Sequence, residues 1–159
     1  MKTLNFFASL NIPIYEGYGL SESTGPHTMN IKNFYKFGSV GLPIHGVMQY
    51  IDTDKPGTDG EICMWGRHIF MGYFKNPEAT RLAIDKDGYL RSGDVGRIDS
   101  DGYLFITGRI KDVIITSGGK NIAPAPIEDS IRNELPFLAN VLVIGDKRQY
   151  LSALLTVRT

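Results

Sequence analysis

Beyond Phe37 the chain is cut into short pieces by turn signals, and no other sequence feature limits the fold as much. Asp54-Lys55-Pro56-Gly57-Thr58-Asp59-Gly60, Asp87-Gly88 and Asp101-Gly102 fall in quick succession. Asp-Gly pairs supply the positive φ of tight hairpins, and Pro-Gly interrupts both helices and central strands. The apolar pieces between them are too short for long helices. Residues 47–52, 61–65, 95–98 and 103–107 are therefore expected as strands. Short strands at this spacing predict a small antiparallel barrel or curled sheet. Asn76 followed by Pro77 predicts an N-cap and first helical position, opening a helix to about residue 84. Arg91-Ser92-Gly93-Asp94 is expected to lie between two strands.

The start of the chain differs. Leu4, Phe7 and Leu10 recur at helical spacing and predict a helix over residues 3–11, ended by Pro13. A strand over residues 14–18 then runs into Gly17-Tyr18-Gly19-Leu20-Ser21-Glu22-Ser23-Thr24-Gly25-Pro26. Ligands of α/β sheets gather at the carboxyl ends of strands. Hydroxyls and open amides there suit phosphate oxygens, and the Glu22 carboxylate suits a hard cation such as Mg. A polar turn explains the same residues equally well. Asp94 carries two acceptor oxygens that match a vicinal diol, as in ribose.

The stretch from Gly108 to Ile122 has a third character. Arg109, Lys111 and Asp112 precede a β-branched run, Val113, Ile114 and Ile115, expected as a short buried strand. Gly118 and Gly119 follow, and glycine serves positive φ or close approach to a ligand. Past Lys120, Pro124 and Pro126 lead into a helix whose apolar face is Ile127, Ile131 and Leu135. Strands over residues 141–144 and 150–157 complete a pattern of strand, helix, strand, strand. That is a thin core for an independent unit.

Lysine plus arginine equals aspartate plus glutamate at 17 each, so no general field favours nucleic acid. The lone Cys63 excludes an internal disulfide and fits a reducing compartment, which makes the expected location cytoplasmic. It is expected as a small buried strand residue. His27, His45 and His68 lack metal-ligand spacing. No apolar run is long enough to span a bilayer, which leaves peripheral membrane contact open.

Read together, Tyr18-Gly19-Leu20-Ser21-Glu22, Gly60-Glu61-Ile62 with Gly72-Tyr73-Phe74, Arg91-Ser92-Gly93-Asp94 and Gly108-Arg109-Ile110-Lys111-Asp112 occur in an order that resembles the adenylate-forming superfamily. This superfamily comprises acyl-CoA synthetases, adenylation domains and luciferases, and the likeness covers nearly the whole chain. Ser21 to His27, Asn121 to Glu128, and Gly145-Asp146-Lys147-Arg148 before Leu151 resemble the bubblegum branch of long-chain-fatty-acid–CoA ligases. The resemblance implies a mixed α/β fold of mostly short strands. It comprises the end of an α/β sheet subdomain, a distorted antiparallel β-barrel-like subdomain from about residue 37, and a partial α+β domain. The expected boundary lies between residues 1–110 and 111–159.

It also implies roles. Glu22 would hold Mg and Ser21 a phosphate. Tyr18 and Gly19 would meet the nucleotide, Tyr18 at adenine. Asp94 would take the ribose hydroxyls, and Arg109 would reach the nucleotide. Lys111 would be the hinge about which the small domain rotates. Gly118 and Gly119 would line the passage for coenzyme A. ATP, Mg, coenzyme A and a fatty acid are thus the implied cofactors and partners. The family often has threonine where this chain has Ser21 and Ser92, and the hydroxyl is kept. The family's lysine-containing phosphate loop and its late catalytic lysine have no counterpart within these 159 residues. The expectation is therefore a fragment of a ligase, inactive alone. Two other readings stay open, an enzyme that loads a carrier protein and a non-enzymatic module whose apolar edges support dimers.

Overall fold

The computed structural model describes residues 2–55 and 57–158. Pro56, part of the expected turn after residue 52, lies outside the described residues. The chain forms two compact units, Met1–Ile106 and Thr107–Thr159.

The first unit opens with helix α1, Lys2–Ser9, close to the expected span. Strand β1, Gly17–Leu20, pairs antiparallel with β2, Gly25–Met29, and β2 pairs with β3, Leu42–Pro43. The strand expected over residues 14–18 thus begins later and ends later, because its pairing partner is the residue run after the turn. β1 and β2 approach so closely that a Cβ on Gly19 would lie 2.0 Å from the Gly25 carbonyl oxygen. Only glycine fits there.

A second sheet has the order β4-β5-β6-β7. Its strands are β4 Val47–Asp52, β5 Gly60–Gly66, β6 Leu90–Ile98 and β7 Leu104–Arg109. β4 alternates half-buried and exposed residues, the period-two pattern of a one-sided strand. Central β5 buries Ile62, Cys63 and Met64 in succession, so Cys63 is the interior strand residue expected. The sheet is open rather than a closed barrel: β4 and β7 stand at opposite ends of the strand order. Four strands are too few to close around a filled interior. The β7 side is instead met by the segment before β3, where Val40 N donates to the Leu104 oxygen and Leu104 N to that of Gly41.

Tyr18, Ile62, Met64, Leu90 and Leu104 form the core of this unit. Full burial of each aliphatic side chain contributes roughly 1.5–3 kcal/mol. Phe70 packs against that core, whereas Trp65 stays partly exposed. Helix α2, Pro77–Ala83, starts as the sequence predicts, with Asn76 Oδ1 accepting from Ala79 N at 3.0 Å.

In the second unit, β8 Ile114–Ile115 pairs with β9 Asn121–Ile122. Only Ile114 of this run is buried, and Val113 stands outside the strand, so the expected three-residue buried strand is shorter and one-sided. Helix α3, Pro124–Glu134, packs on β10, Leu138–Ile144, which pairs with β11, Ser152–Val157. Leu138, Val141 and Val143 are buried, while every residue of β11 is exposed. The turn after β10 is more than a solvated loop. Lys147 N donates to Ile115 O at 2.7 Å and Ser117 N to Arg148 O at 2.9 Å.

Candidate functional site

The site is built around the turn that leaves β1. Tyr18 is 8 % exposed and belongs to the core, yet its hydroxyl donates to Asp94 Oδ2 at 2.8 Å. Its ring packs in the core and its hydroxyl serves Asp94. Asp94 is itself 4 % exposed. A buried carboxylate requires partners, and the Tyr18 hydroxyl is one of them.

The position of Asp94 corrects the expectation of a loop. Residues 91–94 lie inside β6, where Glu61 faces Val95 but Cys63 faces Arg91. The extra residues form a bulge in an otherwise continuous strand. Gly93 takes φ +72°, a left-handed value that favours glycine. Its N–H donates to Glu61 Oε1 at 3.0 Å, and Asp94 N donates to Ser92 Oγ at 3.0 Å. Bulges re-aim side chains, and this one brings Asp94 to Tyr18.

Glu22 sits in a one-turn 3-10 helix, Ser21–Ser23. The three hydroxyls grouped there by sequence divide into different tasks. Ser23 is fully buried, accepts from Leu20 N at 2.8 Å and donates within the turn. Thr24 Oγ1 donates to His68 O at 2.7 Å. Ser21 stays exposed. Glu22 is half-buried, and its Oε1 accepts from the Tyr73 hydroxyl at 2.7 Å. That bond pushes the Tyr73 hydroxyl pKa up. A single half-buried carboxylate beside an exposed hydroxyl is a donor set that fits Mg, which takes one or two carboxylates and completes its shell with phosphate and water.

His27, His45 and His68 lack metal-ligand spacing in the sequence. The structure puts His27 fully inside and links its Nδ1 to His68 Nε2 at 3.0 Å. Burial, then the neighbouring His68, lowers the His27 pKa to about 4. Burial also lowers that of His68. Cys63 instead stands near Asp52 and Glu61, with ligand atoms within 4.8 Å of one another. Arg91 bridges both carboxylates, at 2.6 Å from Asp52 and 2.5 Å from Glu61. A guanidinium thus already occupies both carboxylates of that cluster and offsets part of their charge.

The remaining expected residues belong to the second unit. Arg109 ends β7 and Lys111 lies in a 3-10 turn, Ile110–Asp112; both are exposed. Gly119 has φ +75°, and a Cβ on Gly118 or Gly119 would meet nothing within 4 Å. Open space is what a thin ligand arm requires. The sequence reading missed Tyr73, His68 and Glu61 as contributors. Glu61 and Tyr73 stand in motifs that carry the family resemblance, Gly60-Glu61-Ile62 and Gly72-Tyr73-Phe74, but the motifs give neither residue a role.

Residues 1–74 match the AMP-binding enzyme family, and residues 111–159 match the AMP-binding enzyme C-terminal domain. The chain belongs to the AMP-binding enzymes. It is 51 % identical over 159 residues to the long-chain-fatty-acid–CoA ligase ACSBG2 of Gallus gallus, covering 99 % of this chain and 21 % of that protein. It is 49 % identical over 158 residues to ACSBG1 of Homo sapiens, again over 99 % of this chain and 22 % of the relative. The chain therefore spans about a fifth of the length of these curated relatives. Among solved AMP-binding enzymes, it is similar to O-succinylbenzoate coenzyme A synthetase from Bacillus subtilis in complex with AMP. There the TM-score is 0.86 and the identity 29 %, over 99 % of this chain and 34 % of that one. Against the Mycobacterium tuberculosis fatty acyl CoA synthetase the TM-score is 0.67 and the identity 34 %, over 99 % and 33 %.

Proposed function

We propose that this chain is the nucleotide-holding and hinge portion of an ATP- and Mg-dependent long-chain fatty acid:CoA ligase. The observation that carries the reading is the identity of about one half, along 99 % of the chain, to long-chain-fatty-acid–CoA ligases. The geometry supports it. Asp94 is buried and held in place by the Tyr18 hydroxyl, and a carboxylate so fixed would accept from ribose hydroxyls. Ser21, exposed at the turn, would donate to a phosphate oxygen. Mg, held by Glu22, would neutralise charge on the phosphates.

In the proposed reaction a fatty carboxylate oxygen bonds to the α-phosphorus of ATP and pyrophosphate leaves. The thiolate of coenzyme A then bonds to the acyl carbon and AMP leaves. Neither step needs a protein nucleophile; both need positioning and charge stabilisation. Arg109 would reach the nucleotide in one step. Lys111 would be the pivot that lets the second unit present Gly118 and Gly119 to the pantetheine arm in the other. The single buried Cys63 supports a reducing, cytoplasmic setting. Peripheral contact with a membrane is part of the same proposal, since the fatty substrate partitions there. Among the described residues no helix is long and apolar enough to cross one.

The test is exchange of labelled pyrophosphate into ATP by the whole protein, over a series of carboxylic acids. Exchange with palmitate or oleate, and formation of the acyl-CoA on adding coenzyme A, is the expected result. Exchange driven by amino acids or aryl acids alone would overturn it.

A further inference from the structure

The turn that carries Glu22 and the strand β2 after it are bound by one segment, residues 66–73, at four separate points. Phe70 N donates to Glu22 O at 2.8 Å. Thr24 Oγ1 donates to His68 O at 2.7 Å. The His27 and His68 rings share a hydrogen bond at 3.0 Å. The Tyr73 hydroxyl reaches the functional atom itself, Glu22 Oε1, at 2.7 Å. The first holds the turn's backbone, the second anchors Thr24 by its side chain, and the third ties down the strand that follows. Only the fourth fixes the carboxylate.

Tyr73 is itself well held. Its ring meets Phe70 edge-on, with centroids 4.9 Å apart. Its N–H donates to Thr80 Oγ1 at 2.8 Å, and that hydroxyl donates onward to Asn76 O at 3.0 Å, within the cap of α2. The hydroxyl position is thus set by the core-packed Phe70 on one side and a capped helix on the other. A freely rotating glutamate would present its oxygens to a cation in many orientations. The tyrosine takes one oxygen and restricts those orientations, as partners of metal-binding carboxylates do elsewhere.

We propose that Tyr73 is the positioning residue for the Glu22 carboxylate, presenting it to the divalent cation that accompanies ATP. This rests on the reading that Glu22 takes that cation. The hydroxyl does not touch substrate; it acts through Glu22.

The experiment measures Mn²⁺ affinity in the presence of ATP, by electron paramagnetic resonance on the whole protein, for Tyr73→Phe, Thr80→Val and Glu22→Gln. Melting curves confirm that each variant is folded. Tyr73→Phe keeps the ring and removes the bond, and is expected to weaken Mn²⁺ about tenfold. The Mg²⁺ concentration for half-maximal pyrophosphate exchange should rise in parallel. Thr80→Val loosens Tyr73 without touching Glu22 and should give a smaller shift of the same sign. It keeps the test open if Tyr73→Phe does not fold. Glu22→Gln should lose more than either. If Glu22→Gln weakens Mn²⁺ while Tyr73→Phe and Thr80→Val match the wild type, the role of Tyr73 is refuted and that of Glu22 stands. If Glu22→Gln also binds Mn²⁺ normally, the assignment of Glu22 fails and the role of Tyr73 with it.

Discussion

In the first unit, Tyr18, His27 and Asp94 are buried, and each is bonded to a residue far away in sequence. In the second, Lys111, Gly118 and Gly119 are exposed, and a Cβ on either glycine would meet open space. The two regions therefore hold their candidate residues in opposite ways. A carboxylate proposed to face two ribose hydroxyls would gain from burial and cross-links, because these lower the reorganisation needed on binding. The proposed pivot and passage would need the reverse. Few contacts let a segment change φ and ψ and leave room for a ligand arm.

The contrast is broken most severely through the His27–His68 pair. Burial holds the His27 pKa near 4, below its ordinary 6.5. Between those values the unfolded chain binds a proton that the folded chain refuses. Stability is therefore full above about pH 6.5 and falls as pH drops toward 4. The expected loss is about 3 kcal/mol, measured by urea unfolding across that window. His27→Gln should flatten much of the slope. An unchanged slope would mean that the interior of the first unit is not sensitive at this point.

A smaller effect is expected at Gly119. Its φ of +75° disfavours any L side chain, so Gly119→Ala should cost about 1 kcal/mol. Smallest of all is Gly118→Ala, which meets no atom and should change stability by less than about 0.5 kcal/mol. The same variant should slow thioester formation if the glycine pair lines the pantetheine path. A large stability loss at Gly118, read from thermal melts, would show that this loop is as tightly held as the first unit.

How far the residues announced this differs from place to place. The start of α2 was legible, because Asn76 and Pro77 act through local geometry alone. So was β4, whose alternation and terminal turn are local signals. Asp94 was legible as a candidate but not in its setting. A bulge depends on what the neighbouring strand offers, here Glu61 to Gly93, and Ser-Gly-Asp reads locally as a turn. Barrel closure was not legible either, since it depends on whether the outermost strands pair. Ser23 and Thr24 looked like phosphate ligands because a hydroxyl in a turn reads alike whether it faces a ligand or the backbone. The His27–His68 bond and the Tyr73–Glu22 bond join residues 41 and 51 positions apart, a distance that no local pattern spans.

In the proposed function the first unit would hold the nucleotide and the second would serve the exchange of thiol for nucleotide. Single-turnover kinetics of the whole protein with ATP, palmitate and coenzyme A separates the two half-reactions. Asp94→Ala should reduce acyl-adenylate formation by about a hundredfold or more, the scale of losing hydrogen bonds to a charged group. Lys111→Pro, which fixes φ at the pivot, should leave adenylate formation within a few-fold of normal and slow thioester formation about tenfold or more. Equal losses in both half-reactions for Lys111→Pro, or an unaffected adenylation step in Asp94→Ala, would rule out this division of roles.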